Sequence, residues 1–305
     1  MTVWLPWPPS ELPSVPDGLD IDVWDGHGET PPSVETVELF VQPYLTGEMA
    51  VAVMARMPAL RIVQTQTAGV DHIAPYLPAG VTLCNARGVH DASTAELSVA
   101  LALSSQRDLG AFVRLQDSGT WDQRMGSSLA DRTVLILGYG SIGAAVERRL
   151  AGFEVEIIRV ASRARPAEGV AAVADLPALL PRADVVIVLV PLTDATRRLV
   201  DAAFLGRMHD GALLVNVARG AVVDTDALLA ELHSGRLRAA LDVTDPEPLP
   251  PDHPLWHAPG VLITPHVGGA TDAMRPRMRR LVSEQLGRFA AGEPLANVVV
   301  GVGRT

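Results

Sequence analysis

Apolar residues along this chain fall in short unbroken runs rather than in strict alternation. From about residue 131 the runs are RTVLILGYG, EVEIIRV, ADVVIVLVPL, GALLVNVARG, LRAALDVTD and GVLITPHVGG, with more polar stretches between them. Runs of this kind suit the strands of a parallel sheet covered on both faces. The intervening stretches predict helices, among them Ser141 to about Ala151 and TDALLAELHSG (225–235), closed by Gly235. Residues 1–92 predict a smaller α/β unit, with strand-and-loop candidates VELFVQPYL (37–45), RIVQTQTAGVDHI (61–73) and GVTLCNA (80–86). The segment DASTAELSVALALSSQRDL (91–109) predicts a buried helix, with Ser93 and Glu96 spaced as a capping box. After residue 271 a long last helix is expected to return to the first unit. The expected division is therefore residues 1–92 plus 272–305 in one domain and 93–271 in the other.

The run VLILGYGSIG (134–143) ends a predicted strand in three glycines, Gly138, Gly140 and Gly143. In this spacing the first makes a tight turn and the second lets the main chain approach a pyrophosphate. The third lets the next helix pack on the strand. Gly138, Tyr139, Gly140, Ser141, Ile142 and Gly143 are therefore candidates for binding a dinucleotide, with the helix N-terminus aimed at the diphosphate. A strand–turn–helix that uses glycine only for packing is the alternative. The strand before and the second apolar run after, EVEIIRV (154–160), favour the dinucleotide.

Composition narrows the classes. Over 305 residues, 48% hydrophobic and 20% charged residues suffice for full cores and argue against disorder. A net charge of −10 with no basic tail or stripe argues against a nucleic-acid partner. Cys84 is the one cysteine, so neither an internal disulfide nor a cysteine zinc cluster is expected; a buried structural thiol fits it better. His253 and His257 are four apart, but Pro254 spoils a helical pair, and no metal is expected. No run is long enough to span a membrane, and the proline-rich MTVWLPWPPSELP lacks the basic start of a secretory signal. A soluble cytoplasmic protein is the expectation.

Several separated motifs together resemble the D-isomer-specific 2-hydroxyacid dehydrogenases. They are TAGVDHI (67–73), TAELSVALAL (94–103), the glycine loop, LVPLTDATRRLV (189–200), LVNVARGAVVDTDALLAEL (214–232), ALDVTDPEPLP (240–250) and LITPHVGGAT (262–271). The stretch HPLWHAPGVLITPH is similar to the glyoxylate/hydroxypyruvate reductase branch. The resemblance implies a Rossmann-type doubly wound parallel sheet inserted into a smaller flavodoxin-like α/β substrate domain, with the active site in the cleft. It also implies a homodimer through the cofactor domains, with the 105–130 segment in contact.

The resemblance further implies a catalytic trio, Arg219 of NVARG, Glu247 of DPEP and His266 of TPHVGG. Chemistry agrees. Reduction of a 2-keto acid needs a proton donor poised near neutral pH, which histidine is. A carboxylate on its other ring nitrogen fixes the tautomer and favours the charged form. A guanidinium fork suits the substrate carboxylate and the developing alkoxide. Taken singly, each residue also fits an ordinary loop or surface position. By the same resemblance, main-chain amides at Ala68 and Gly69 hold the substrate carboxylate and Asp242 touches the nicotinamide carboxamide. Pro191 and Ala218 line the cofactor groove, and Thr196 lies near the phosphates. A strand-end cap is the lesser alternative for Asp242, and Trp256 reads equally as a pocket wall or as plain packing.

NAD-binding sites carry an acid about 20 residues beyond the glycines, on the ribose hydroxyls. Here the count reaches Ala161, followed by Ser162, Arg163 and Arg165. An acid there would repel a 2′-phosphate, whereas a hydroxyl and guanidinium groups bind it. NADP(H) is therefore favoured, with NAD(H) as the alternative if the loop is merely a solvated basic one. The expected function is NADPH-dependent reduction of small 2-keto acids to 2-hydroxy acids. The alternatives are oxidation of a 2-hydroxy acid in a biosynthetic route, and a dinucleotide-sensing binding protein or corepressor on the same fold. The intact trio disfavours the last.

Overall fold

The strand Thr133–Leu137 sends alternate side chains into two apolar layers, as the pleat requires. Leu135 and Leu137 join Val186, Val188 and Leu214 in one layer. Val134 and Ile136 join Val185, Ile187, Leu213 and Val215 in the other. A strand buried on both faces has no polar side to show, which is why its sequence is a continuous apolar run. Seven such strands pair in parallel in the order Val261–Ile263, Arg238–Leu241, Leu213–Asn216, Val185–Val188, Thr133–Leu137, Glu156–Ala161, Val170–Ala172. The strand order reverses between Thr133–Leu137 and Val185–Val188. Ligands of open α/β sheets bind at such a switch point, beyond the carboxyl ends of the strands.

The computed structural model describes residues 1–44 and 46–301. It divides into two compact units, Asp91–Thr271 and Met1–His90 with Asp272–Thr305. Leu45, the last residue of the 37–45 strand candidate, and residues 302–305 of the expected substrate domain lie outside the described residues.

In the first unit the parallel strands run in the order Asp20–Val23, Thr2–Leu5, Val37–Val41, Ile62–Gln64, Thr82–Cys84. Val298–Val300 adds an antiparallel edge strand. In chain order the parallel part reads 2-1-3-4-5, the flavodoxin-like arrangement. The last helix, Met274–Ala291, packs Met278, Val282, Leu286 and Phe289 on one face of this sheet. It stops at Gly292, whose φ of 67° is the left-handed conformation that ends helices. Trp4, Trp24 and Phe40 fill the other face as a tilted and edge-on aromatic cluster.

One local expectation is corrected, and one further strand is found. The helix Asp91–Gln106 begins before Ser93, so the capping box does not form. The Ser93 hydroxyl is instead 2.6 Å from that of Thr271, a contact made where the second unit begins and ends. The proline-rich N-terminus carries a strand at Thr2–Leu5, with Val3, Trp4 and Leu5 fully buried. Among the described residues, no helix is long and apolar enough to cross a membrane.

Candidate active site

Three loops at the carboxyl ends of neighbouring strands in the second unit carry Arg219, Glu247 and His266. His266 follows the strand Val261–Ile263 and has a φ of 53°, in the left-handed region where histidine is tolerated but uncommon. The buried Asp242, just after Arg238–Leu241, holds it there. The main-chain N–H of His266 donates to the Asp242 carbonyl at 2.7 Å. One Asp242 carboxylate oxygen accepts from the Thr264 hydroxyl at 2.6 Å and the Val267 N–H at 2.9 Å. The other accepts from the Gly268 N–H at 2.8 Å. A Cβ on Gly268 would stand 2.9 Å from that oxygen, so a larger residue would press on the carboxylate.

The side chain so placed meets Glu247. Nδ1 of His266 and Oε1 of Glu247 are 2.5 Å apart. With Nδ1 donating to the carboxylate, Nε2 is the ring nitrogen outside that bond. The hydrogen bond to Glu247 raises the His266 pKa above its ordinary value, against burial and the nearby Arg219 charge, both of which lower it. Burial pushes Glu247 the other way, but the bond and charge of His266, the Thr244 N–H and Arg219 prevail and hold it below the usual carboxylate range. Each partner thus favours the charged form of the other.

Arg219 is half-buried on the loop after Leu213–Asn216. Its Nη1 donates to the Ala218 carbonyl at 2.7 Å. The buried Asn216 side chain ties the same loop, accepting from the Ala218 N–H at 3.1 Å and donating to the Arg219 carbonyl at 3.0 Å. Gly220 presses this loop onto the one that leads to Glu247. A Cβ there would lie 1.9 Å from the Thr244 carbonyl oxygen, so no other residue fits without moving main chain. The Thr225 hydroxyl adds a bond to the Asp245 carbonyl at 3.0 Å. Sequence alone does not single out Asn216, Gly220 or Thr264. The only signal for Asn216 is a polar residue ending a buried strand.

The glycine loop passes a direct test of fit for a diphosphate. Gly138 has a φ of 109°, and a Cβ would lie 2.7 Å from the Leu189 carbonyl carbon. A Cβ on Gly143 would lie 2.8 Å from the Gly138 carbonyl oxygen. Gly140 differs: its φ of −102° suits any residue, and a Cβ there would meet nothing within 4 Å. Glycine at that position keeps the outer side of the loop bare. The helix Ser141–Leu150 begins there, with Ser141 and Ile142 in its first turn. The neighbouring strand ends at Ala161 with no acid, and Ser162 and Arg163 are exposed beyond it.

Tyr139 is fixed inside the unit. Its hydroxyl donates to Glu147 at 2.5 Å, and Arg159 holds the same carboxylate with two donors. Arg165 donates Nη2 to the Tyr139 carbonyl at 2.9 Å and Nε to Glu168 at 3.0 Å. Thr196 donates its hydroxyl to the Pro191 carbonyl at 2.6 Å, closing that turn on itself. Trp256 is 43% exposed and anchored by its indole N–H on the Pro250 carbonyl at 2.8 Å. His253 caps the short turn before it, its Nδ1 accepting from the Leu255 N–H. In the other unit the Ala68 and Gly69 carbonyls accept from Asn85 and the Thr67 hydroxyl, both at 2.7 Å, which fixes the orientation of that loop. Cys84 is buried, and burial pushes its thiol up to about 11.

Residues 99–268 match the family described as D-isomer specific 2-hydroxyacid dehydrogenase, NAD binding domain. A glyoxylate reductase of Korarchaeum cryptofilum is 34% identical over 310 residues, covering 96% of this chain and 93% of that protein. The human glyoxylate reductase/hydroxypyruvate reductase is 35% identical over 248 residues, 77% of this chain and 76% of its own. An NADPH-dependent glyoxylate/hydroxypyruvate reductase from Sinorhizobium meliloti, solved with NADP and sulfate, superposes with a TM-score of 0.80 at 29% identity. That match covers 98% of this chain and 97% of the other. The chain belongs to the D-isomer-specific 2-hydroxyacid dehydrogenases, nicotinamide-dependent oxidoreductases acting on CH–OH, and within them it is of the glyoxylate/hydroxypyruvate reductase type.

Proposed function

We propose that this protein reduces small 2-keto acids, of the size of glyoxylate and hydroxypyruvate, with NADPH as the preferred reductant. The observation that carries the reading is the 2.5 Å contact between His266 and Glu247, beside Arg219. When bound, the dinucleotide supplies a hydride to the carbonyl carbon. His266 holds a proton on Nε2 and gives it to the carbonyl oxygen. Glu247 keeps the imidazole in the donating tautomer and stabilises its charged form. Arg219 takes the substrate carboxylate and the oxygen where negative charge develops. Asp242, enclosed by its own turn, positions His266. Ala68 and Gly69 offer main-chain N–H groups to the carboxylate, and Trp256 walls the pocket.

For the dinucleotide, Gly138, Tyr139, Gly140, Ser141, Ile142 and Gly143 cradle the diphosphate, and Pro191, Thr196 and Ala218 border it. Ser162, Arg163 and Arg165 take the 2′-phosphate. The lack of an acid at Ala161, the exposed Arg163 and the half-buried Arg165 support NADP(H). The cytoplasm, whose NADP pool is kept reduced, is the compartment this reading calls for. Trp121 and Met125 are 94% and 98% exposed, large apolar areas that a second copy would cover. A homodimer is the proposed assembly, and sedimentation equilibrium would return a monomer if it is wrong.

The test is a panel of 2-keto acids assayed with NADPH and NADH in parallel. Turnover of two- and three-carbon keto acids, with a higher kcat/KM for NADPH, is expected. Equal use of both dinucleotides would remove the NADP assignment. No turnover of any 2-keto acid would remove the function.

A further inference from the structure

Arg165 is the one proposed 2′-phosphate ligand that already has a carboxylate on it. Its Nε donates to Glu168 at 3.0 Å, and its Nη2 to the Tyr139 carbonyl at 2.9 Å. The guanidinium also lies over the Tyr139 ring, 5.9 Å from its centroid. The loop that carries both charges is closed on itself. Arg165 N–H donates to the Val170 carbonyl at 2.8 Å, and Val170 N–H returns to the Arg165 carbonyl at 3.1 Å. Pro166 opens the intervening turn, and Gly169, with a φ of 66°, ends it. Glu168 therefore sits opposite Arg165 by construction of the turn. Arg163, by contrast, is exposed and has no ion-pair partner among the described residues.

We infer that Glu168 is a specificity-determining residue, an internal competitor that occupies the Arg165 fork and must yield it when a 2′-phosphate binds. The inference rests on the reading of Ser162, Arg163 and Arg165 as the 2′-phosphate site. A phosphate monoester carries close to two negative charges near neutral pH. A bidentate contact with Arg165 that uses Nε requires displacing the carboxylate, and a phosphate on Nη1 alone meets repulsion from Glu168 if the carboxylate stays. A dinucleotide without the 2′-phosphate has no cause to disturb the pair. Glu168 thus lowers affinity for the phosphorylated cofactor alone and narrows the gap between NADPH and NADH. Tyr139 holds the guanidinium in place during the exchange, since its carbonyl and ring do not compete for the anion.

The test uses the full chain and two probes without a nicotinamide, adenosine 2′,5′-bisphosphate and 5′-AMP, titrated by calorimetry at low salt. Wild type should bind the bisphosphate more tightly. Glu168→Gln should tighten the bisphosphate by about 3- to 5-fold, the upper part of the range for an exposed charge contact, with 5′-AMP changed less than about 2-fold. Added salt should shrink the gain. In an Arg165→Gln background the same Glu168→Gln change should yield less than about 2-fold. Glu168→Ala should repeat the Gln result. An unchanged bisphosphate affinity in both Glu168 variants overturns the inference. So does an equal gain with and without Arg165, because Glu168 would then act as a distant charge and not through the fork. A wild-type protein that binds both probes equally well overturns the 2′-phosphate reading itself, a different result from either of these.

Discussion

Two ends of one sheet are built differently in this protein. The corner that carries Arg219, Glu247 and His266 is fixed from inside. Asn216 and Asp242, both buried, tie two of the three loops, and Gly220 packs main chain on main chain between Arg219 and Glu247. The end proposed to take the adenosine is fixed from outside. Ser162 and Arg163 stand in solvent, and Arg165 is held by a partly exposed ion pair with Glu168. Buried polar contacts are costly to break, because each lost partner leaves a desolvated group. Exposed ion pairs contribute little to stability and change at small cost. On the proposed reading, the geometry of proton transfer is locked into the fold, while cofactor choice rests on side chains that can be exchanged without disturbing it.

The largest effect should come from the locked corner. His266→Asn removes the proposed proton donor and should lower kcat for keto acid reduction by about 10²- to 10⁴-fold. Affinity for the dinucleotide, measured by quenching of intrinsic fluorescence, should stay within about 2-fold. A variant with near-native kcat would show that His266 is not the donor.

Gly220→Ala attacks the same corner without touching a reacting group. The new Cβ has nowhere to go but into the Thr244 carbonyl, so the Arg219 and Glu247 loops must part. A displacement near 1 Å is worth about 10²-fold in rate. We expect a loss of that order in kcat/KM in a protein that still unfolds cooperatively. A folded variant with unaltered kinetics would break the contrast between the two ends.

The outer end should give way more easily. Ala161→Asp with Arg163→Ala adds a ribose acceptor, sets a charge against the 2′-phosphate and removes a cation. The ratio of kcat/KM for NADPH over NADH should fall by about 10- to 100-fold, one to two charged contacts at about 1.4 kcal/mol per factor of ten. The unfolding midpoint should hardly move. A ratio unchanged by both substitutions would mean that the loop does not read the phosphate.

What the sequence made legible follows the same division. The glycine loop, the helix Ser141–Leu150 and the parallel strands are local patterns, so runs such as VLILGYGSIG and ADVVIVLVPL reveal them. The bare outer side of Gly140 and the missing acid at Ala161 are also local. Contacts across loops are not. Asp242 takes its partners 22 to 26 residues along the chain, and Gly220 is made necessary by Thr244, on another strand end. Nothing in the spacing of either residue announces this. The strand Thr2–Leu5 is hidden for a different reason: it is short and lies against prolines, and only pairing with two neighbours makes it a strand. Ser93 misleads because its hydroxyl finds Thr271, a tertiary partner that a capping pattern cannot foresee.

The smallest expected effect is also the one that tests how the locked corner works. Glu247→Gln keeps the side chain's shape and an acceptor oxygen for Nδ1 of His266, so kcat at low pH should fall by no more than about 10-fold. What changes is the charge. Glu247 raises the His266 pKa chiefly through its hydrogen bond and then through its charge, while burial and Arg219 lower it. With glutamine in place, the imidazolium loses its anionic partner, and the lowering influences remain. Reduction requires the protonated ring, so activity is full below the His266 pKa and is lost as pH rises through it. The alkaline limb of kcat/KM should therefore move to lower pH in the variant, and the oxidation direction, which needs the neutral ring, should gain activity over the same interval. A structural role for Glu247 would reduce rates at every pH and leave the limb where it was. Profiles of both directions, measured with saturating dinucleotide, separate the two. An unmoved limb would detach Glu247 from His266 and leave the short contact between them without a part in the chemistry.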